Sequence, residues 1–145
     1  MAQDIRRRHS LILRSSETAS GEGSAWARAL AEKAGLSPRR IDALDLCIVE
    51  LVTNVVNHSY RGQPGEIRLE LGLGEDAAAL TLIDAGPPFD PLSVPAPAIP
   101  ASLDDLPVGG FGIHLVRTSA DACEYRRHAG RNFFTVRFGG DNGRA

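Results

Sequence analysis

The residues best suited to chemistry lie on one predicted helix, within the stretch Ile41–Gly62. Most of this stretch is apolar at helical spacing, so the helix should be largely buried. Four polar residues cluster on one side of it, at positions i, i+4, i+7 and i+8, namely Glu50, Asn54, Asn57 and His58. Burying carboxylate and carboxamide groups is costly unless a partner satisfies them. The stripe is therefore either an internal hydrogen-bond network or one wall of a polar ligand site.

Two kinds of chemistry fit this stripe. Glu50 and Asn54 are one helical turn apart and can hold a hydrated Mg²⁺, which prefers oxygen ligands and keeps several waters. Alternatively, Glu50 can serve as a general base. The residues of the helix alone do not decide between these roles and a structural network.

A second candidate is a carboxylate at the end of an apolar stretch. Asp84 closes a predicted strand, and Gly86 follows two residues later. A carboxylate in this position can accept a hydrogen bond from an exocyclic amine, and a nearby glycine lets a flat ring approach the backbone. The alternative is an Asx turn that leads into the prolines that follow.

A third candidate is a glycine cluster before a predicted helix, formed by Gly109, Gly110 and Gly112 around Phe111. Free N–H groups and the dipole at a helix N-terminus suit a phosphate group. No Gly-Lys-Ser/Thr follows, so the cluster is not a Walker A loop, and no strand precedes it, so it is not a Rossmann fingerprint. A hinge for the preceding loop is the alternative.

The spacing of apolar residues predicts the elements that must position these candidates. The predicted strands are His9–Arg14, Glu66–Leu73, Ala77–Ile83, Ala122–Arg127 and Asn132–Phe138. The predicted helices are Ala25–Ala34, the long helix that starts at Ser37-Pro38 and ends near Gly62, and Ile113–Ala120, with a polar loop at Ser15–Ser24. Runs of strands rather than strict strand–helix alternation favour an α+β fold, a two-layer sandwich with helices on one face of a mixed, mostly antiparallel sheet.

The segment at about residues 87–108 holds most of the nine prolines, so neither a helix nor a central strand fits there. A long loop inside a compact domain is typical of a lid or a binding loop. The length of 145 residues fits one domain, with an ordered core over about residues 9–138.

Composition narrows the class of partner. The hydrophobic content of 43% and the charged content of 23% are ordinary for a globular domain. The net charge of -2 gives no reason to expect nucleic acid or an anionic membrane, and the Arg6–Arg8 run is predicted to be a solvated tail. No signal peptide or membrane span is predicted, and Cys47 and Cys123 are expected to be free thiols of a cytoplasmic protein.

The motifs, taken in order, resemble one family. E-x-x-x-N on a helix, D-x-G after a strand, a long loop and G-x-G before a helix are together similar to the GHKL, or Bergerat-fold, ATPases. The nearest branch resembles the anti-sigma-factor serine/threonine kinases of bacterial partner-switching systems, in which stretches like ELVTNVVNHSY, DAGPPFDP and GGFGIHLVR recur. The resemblance covers about Leu11 to Phe138. Pro88 stands where many GHKL members have a second glycine, a departure that the anti-sigma branch shares.

The resemblance implies a role for each residue of the helical stripe. Glu50 would activate the attacking nucleophile, and Asn54 would bind the Mg²⁺ that joins the protein to the ATP phosphates. Asn57 and His58 would approach the phosphates or the lid, although a purely structural role for His58 is an equal alternative.

The resemblance also assigns the base and phosphate contacts. Asp84 would accept the adenine amino group, and Gly86 would let the base pack closely. Thr135 matches a position that often supports the adenine pocket. The glycine cluster would shape the end of the lid and present backbone N–H groups to phosphate, through Gly109, Gly110, Phe111 and Gly112.

The implied activity is phosphorylation of a serine on a STAS-type anti-anti-sigma protein, with a sigma factor as second partner and a homodimer as the acting form. One alternative is an ATP-binding regulator that sequesters a partner without phosphate transfer. Another is an α+β interaction domain that binds no nucleotide. A complete sensor histidine kinase is disfavoured, because no helix pair with a phosphoacceptor histidine is predicted.

Overall fold

The computed structural model describes residues 5–93, 95 and 110–139. Its strands are β1 (Ile5–Arg14), β2 (Glu66–Gly74), β3 (Ala77–Asp84), β4 (Ala122–His128) and β5 (Arg131–Phe138). Its α-helices are α1 (Ala19–Lys33), α2 (Pro38–Asn54) and α3 (Gly110–Ser119). A π-helical turn at Val55–Ser59 and a 3₁₀ turn at Pro91–Ser93 complete the regular structure of the described residues.

The strands form one sheet in the order β1-β2-β3-β5-β4. Each of the four pairings between neighbouring strands is antiparallel. Residues on one face of the sheet are buried under the helices, as the alternation in β2 shows with Ile67, Leu69, Leu71 and Leu73. The predicted α+β sandwich is therefore confirmed, and the described strands form an antiparallel sheet where a mixed one was expected.

Helix α2 forms the centre of the helical layer because its apolar residues occupy most of its circumference. It packs between α1, α3 and the sheet. The side chains that it buries are Ile41, Leu44, Cys47, Ile48, Leu51 and Val52. Burial raises the pKa of the Cys47 thiol to about 12, so this cysteine is a neutral core residue. Both cysteines are free thiols, as predicted.

Helix α1 begins six residues earlier than predicted, so the expected loop at Ser15–Ser24 is only partly a loop. Thr18 precedes the helix and donates a hydrogen bond from its hydroxyl to Glu22 over 2.7 Å. Gly23 disfavours a helix by its propensity. It lies in one because a methyl group there would be 3.0 Å from Leu69 Cδ1 and 3.2 Å from Ile48 Cγ2. Close packing of α1 on the core outweighs propensity at this residue.

The two glycines of α1 give a matched pair of stability predictions. Gly23→Ala should lower the free energy of unfolding by about 1–2 kcal/mol, because three buried side chains would have to move. Gly21→Ala should raise it by about 0.5–1 kcal/mol, because no atom lies within 4 Å of a methyl group there and alanine favours the helix. Urea denaturation of both variants measures the difference. Equal effects would show that the helix does not lie as closely on the sheet as described.

Two other element boundaries differ from the prediction. Strand β1 starts at Ile5 rather than His9, so the Arg6–Arg8 run belongs to an edge strand and is not a tail. Helix α3 starts at Gly110 rather than Ile113 and therefore includes part of the glycine cluster. Among the described residues, no helix is both long and apolar enough to cross a membrane.

Candidate functional site

The predicted long helix changes geometry after Asn54. The α-helix ends there, and the chain continues through a π-helical turn in which the Tyr60 N–H donates to the Val55 carbonyl over 2.9 Å. A π-helical turn places an extra residue in the loop of each hydrogen bond, and such turns are frequent at functional sites. As a result the polar stripe is not continuous. Glu50 and Asn54 are half-buried, whereas Asn57 and His58 are exposed.

Glu50 lies against the start of α3. A methyl group at Gly112 would be 3.0 Å from Glu50 Oε2 and 3.3 Å from its Cδ atom. The close approach of the α3 backbone to this carboxylate therefore depends on glycine at position 112. The structure thus brings two of the three predicted motifs, the helical stripe and the glycine cluster, into contact.

The third motif meets the stripe at a small internal cavity of about 20 Å³. Asn54 and Asp84 both line it, so the carboxamide of α2 and the carboxylate at the end of β3 face one space. The remaining lining residues are mostly apolar: Leu51, Val55, Ser59, Leu82, Phe89, Pro91, Tyr125, Asn132 and Phe134. An apolar lining with a few convergent polar groups is typical of small-molecule sites, but those sites enclose about 300–1,000 Å³, so this cavity must enlarge to hold a ligand.

Asp84 and Asn132 are the only polar side chains that are buried among the described residues, at 5% and 4% exposure. They lie opposite each other in the register of β3 and β5. Asn132 Nδ2 donates to Asp84 Oδ1 over 3.1 Å, and the Gly86 N–H donates to the same oxygen over 2.9 Å. The Asp84–Gly86 hydrogen bond is the predicted Asx-type contact, so the turn and the buried carboxylate occur together.

Sequence reasoning missed Asn132 and its two neighbours on β4. Tyr125 donates its hydroxyl to Asn132 Oδ1 over 2.6 Å, and Arg127 Nη1 donates to that oxygen over 3.2 Å. Arg127 also donates to the Gly86 carbonyl over 2.8 Å. The sequence does contain one indication of Asn132. This polar residue shares a strand face with Phe134, Val136 and Phe138, which are all apolar.

Gly86 is packed against the π-helical turn. A methyl group there would lie 2.8 Å from Ser59 Cβ and 3.0 Å from Asp84 Oδ1. Glycine is therefore required at position 86 because other residues of the same chain pack against it. Tyr60, next to Ser59, accepts from the Ala85 N–H over 2.9 Å and donates to the Glu66 carbonyl over 2.6 Å. Burial raises the pKa of the Tyr60 hydroxyl, which keeps it protonated for this second bond.

Asn57 and His58 line a different and larger space. It is an open cleft of about 770 Å³ that also borders Ser59, Pro87, Pro88 and Phe89, together with Arg61 and Gly62. Ser59 and Phe89 belong to both the cleft and the internal cavity, so they stand between them. Asn54 therefore faces the internal cavity, while Asn57 and His58 face the adjoining cleft.

Thr135 is not at this site. It lies opposite Thr81 in the register of β3 and β5, and the two hydroxyls are 2.9 Å apart. Successive residues of a strand point to opposite faces of the sheet. Thr81 and Thr135 therefore lie on the face away from Asp84 and the helices. The expectation that Thr135 supports the adenine pocket does not agree with this placement, and Asn132 takes that position beside Asp84.

Part of the predicted site lies outside the described residues. Gly109, the side chain of Phe111 and most of the predicted lid at 87–108 are in this group. Gly110 is the first residue of α3, as the predicted phosphate-binding helix N-terminus requires. In the described part of the chain, no three His, Cys, Asp or Glu side chains are grouped so as to hold a metal ion.

Comparison with known proteins identifies the family. A family model described as the histidine kinase-like ATPase domain matches residues 15–138. The chain belongs to this family. The prediction made from the three motifs is therefore confirmed. Of these motifs, the helical stripe and the carboxylate at the end of β3 meet at the internal cavity, through Asn54 and Asp84.

Two relatives of this histidine kinase-like ATPase domain are protein kinases by name. The serine/threonine-protein kinase BtrW of Bordetella bronchiseptica is 33% identical over 112 residues, which cover 77% of this chain and 79% of BtrW. The serine-protein kinase RsbW of Bacillus cereus is 27% identical over 113 residues, which cover 75% of this chain and 71% of RsbW. These names agree with the activity that the resemblance implied.

A solved structure shares the fold. The crystal structure of the RsbU and RsbW domains of Rv1364c from Mycobacterium tuberculosis superposes with a TM-score of 0.64 and 17% sequence identity. The match covers 92% of this histidine kinase-like ATPase domain and 32% of that chain.

Proposed function

We propose that this chain is an ATP-dependent serine/threonine protein kinase that phosphorylates a partner protein. The observation that carries the proposal is that two neighbouring contacts link the three separate motifs. Asn54 and Asp84 line the same cavity, and Glu50, one turn before Asn54, contacts the first turn of α3 at Gly112. The kinase names of two relatives support the reaction class.

Asp84 would recognise the adenine of ATP by accepting a hydrogen bond from its amino group. The cavity of about 20 Å³ has room for about one water, so the base enters only when part of the wall moves. Phe89 is the one residue of the cavity lining that lies in no helix, helical turn or strand. We therefore assign the opening movement to Phe89, which is 39% exposed and separates the cavity from the larger cleft.

The phosphates would extend from the cavity toward α3 and the cleft. The N-terminus of α3, at Gly110, offers backbone N–H groups and the positive end of a helix dipole. The carboxamide oxygen of Asn54 suits Mg²⁺, which keeps waters and phosphate oxygens as its other ligands and so needs few protein ligands. Bound Mg²⁺ would supply charge neutralisation for phosphoryl transfer. Asn57 and His58, which line the cleft, would contact the phosphates from that side.

Glu50 would orient the hydroxyl of the protein substrate and accept its proton. A catalytic carboxylate of this kind must be held in place and also reach the substrate. Glu50 is only half-buried and lies against Gly112, which supports this role because the side chain is held and still partly accessible. A protein that only binds ATP has no need of a carboxylate in this position.

The partners follow from the resemblance to anti-sigma kinases. We propose a STAS-type anti-anti-sigma protein as the substrate and a sigma factor as the protein that is bound when the substrate is phosphorylated. The kinase would act as a homodimer in the bacterial cytoplasm and would control transcription through this exchange of partners.

Phosphate transfer to a purified STAS-domain protein from the same organism tests the proposal. With radiolabelled ATP and Mg²⁺ we expect label on a serine or threonine of that protein, and we expect EDTA to prevent it. Mass spectrometry identifies the labelled residue. Tight ATP binding without label transfer to any STAS protein that co-purifies with the chain would instead indicate a regulator that sequesters its partner without catalysis.

A further inference from the structure

The two oxygens of the Asp84 carboxylate have different surroundings. Oδ1 accepts two hydrogen bonds, from Asn132 Nδ2 at 3.1 Å and from the Gly86 N–H at 2.9 Å. Oδ2 accepts none from the residues that the structure describes. An ionised carboxylate can accept about four hydrogen bonds, two at each oxygen. Oδ1 is therefore filled by the protein, while Oδ2 keeps its capacity for a ligand in the cavity that Asp84 lines.

The orientation of the Asn132 amide is fixed by its other neighbours. A carboxamide can be placed in two ways that differ only in which end carries the oxygen. Arg127 cannot accept a hydrogen bond, so the amide atom 3.2 Å from its Nη1 must be the oxygen. The NH₂ group must then face Asp84 and the Pro87 carbonyl, to which it donates over 2.9 Å. The polar contacts on β4 thus determine that Asn132 acts as a donor toward Asp84.

The same side chains hold the backbone that follows Asp84. Asn132 contacts the carbonyl of Gly86 at 3.5 Å and that of Pro87 at 2.9 Å, and Arg127 donates to the Gly86 carbonyl at 2.8 Å. The Phe89 N–H donates to Asn132 Oδ1 at 3.4 Å. One buried side chain therefore connects the carboxylate, its turn and the start of the segment that closes the cavity.

We propose that Asn132 is a positioning residue that holds Asp84 by Oδ1 and so leaves Oδ2 directed to the 6-amino group of a purine. This inference rests on the proposed function, since it adds a specificity determinant to the same nucleotide site. Asn132 also lines the cavity, but both ends of its amide are already bound by protein groups. It acts through Asp84, and its effect should depend on whether the ligand carries an amino group.

A comparison of ATP with purine riboside triphosphate, which lacks the 6-amino group, tests the proposal. In wild type, calorimetry should show roughly tenfold or greater preference for ATP. In Asn132→Ala the ATP affinity should fall by about tenfold, while the affinity for the analogue should change by no more than about twofold. The measured quantity is the ratio of the two affinities, because a purely structural defect would weaken the binding of both nucleotides equally.

Two further variants complete the experiment. Asn132→Asp keeps the size of the side chain and replaces the donor with an acceptor, so this variant should also lose the preference for ATP. It replaces Asn132→Ala in the test if the alanine variant does not fold. Thr135→Val is the matched control, because it removes a hydrogen bond from the same strand on the face of the sheet away from Asp84. It should keep the preference for ATP.

An equal loss for both nucleotides, or a preference retained in the Asn132 variants, would overturn the inference while leaving the proposed function in place. A wild type that binds neither nucleotide would overturn the proposed function and this inference with it. The two failures are therefore distinguished by the wild-type titration alone.

Discussion

Replacing Asp84 by asparagine should weaken ATP binding by roughly a hundredfold and leave the fold intact. The carboxamide oxygen can take the place of Oδ1 and still accept from Asn132 Nδ2 and the Gly86 N–H. The NH₂ group then takes the place of Oδ2 and presents a donor to the donor of the adenine amino group. Isothermal titration calorimetry with ATP measures the loss, and thermal unfolding checks the fold.

Asp90→Asn is a matched control for this variant. Asp90 lies six residues along the same segment, and its Oδ1 accepts from the Leu92 N–H over 2.9 Å, a bond that asparagine can keep. The control should bind ATP as wild type does. Unchanged ATP affinity in Asp84→Asn would show that Asp84 does not recognise the nucleotide and would contradict the proposed nucleotide site.

Replacing Glu50 by glutamine should lower the rate of phosphate transfer by about two to four orders of magnitude. The amide has the shape of the carboxylate, so it can still pack against Gly112, but it cannot accept a proton from the substrate hydroxyl. ATP affinity should stay within about threefold of wild type, because Glu50 is not among the residues that line the internal cavity.

Single-turnover transfer of label from ATP to the STAS protein measures this effect separately from binding. Asp42→Asn is the control, since Asp42 is an exposed carboxylate on the same helix that pairs with Arg28 at 3.1 Å. Transfer at the wild-type rate in Glu50→Gln would exclude Glu50 as the base.

The parts of the fold that depend on short-range patterns could be predicted from the sequence. Strands β2 and β3 were placed to within one residue, because short alternating or continuous apolar runs between turn residues are typical of strands. The central position of α2 followed from its apolar circumference. Asp84 and Glu50 stood out because each is a carboxylate in an apolar context, where its presence requires a reason.

The parts that depend on long-range contacts could not be predicted. Gly23 disfavours a helix locally, and only its contact with Leu69 on β2 explains why α1 includes it. Thr135 was assigned by resemblance, but a shift of one residue along a strand moves a side chain to the other face of the sheet. The partner of Asp84 proved to be Asn132, which is 48 residues away in the sequence and is brought near by the pairing of β3 with β5.

The edges of the sheet bear on how two copies of the chain can associate. Strand β1 pairs with β2 alone and carries the Arg6–Arg8 run, while β4, at the other edge, carries Arg126 and Arg127. A strand edge exposes backbone groups that can template further strands, and charged side chains are a common protection against this. Antiparallel addition of one copy to another along β1 would set arginine against arginine, which like-charge repulsion opposes, whereas β4 also carries Glu124 beside its arginines. The cationic edge at β1 thus opposes open-ended polymerisation, because growth of a continuous sheet would need both edges, and we expect a homodimer of this kinase not to form through β1.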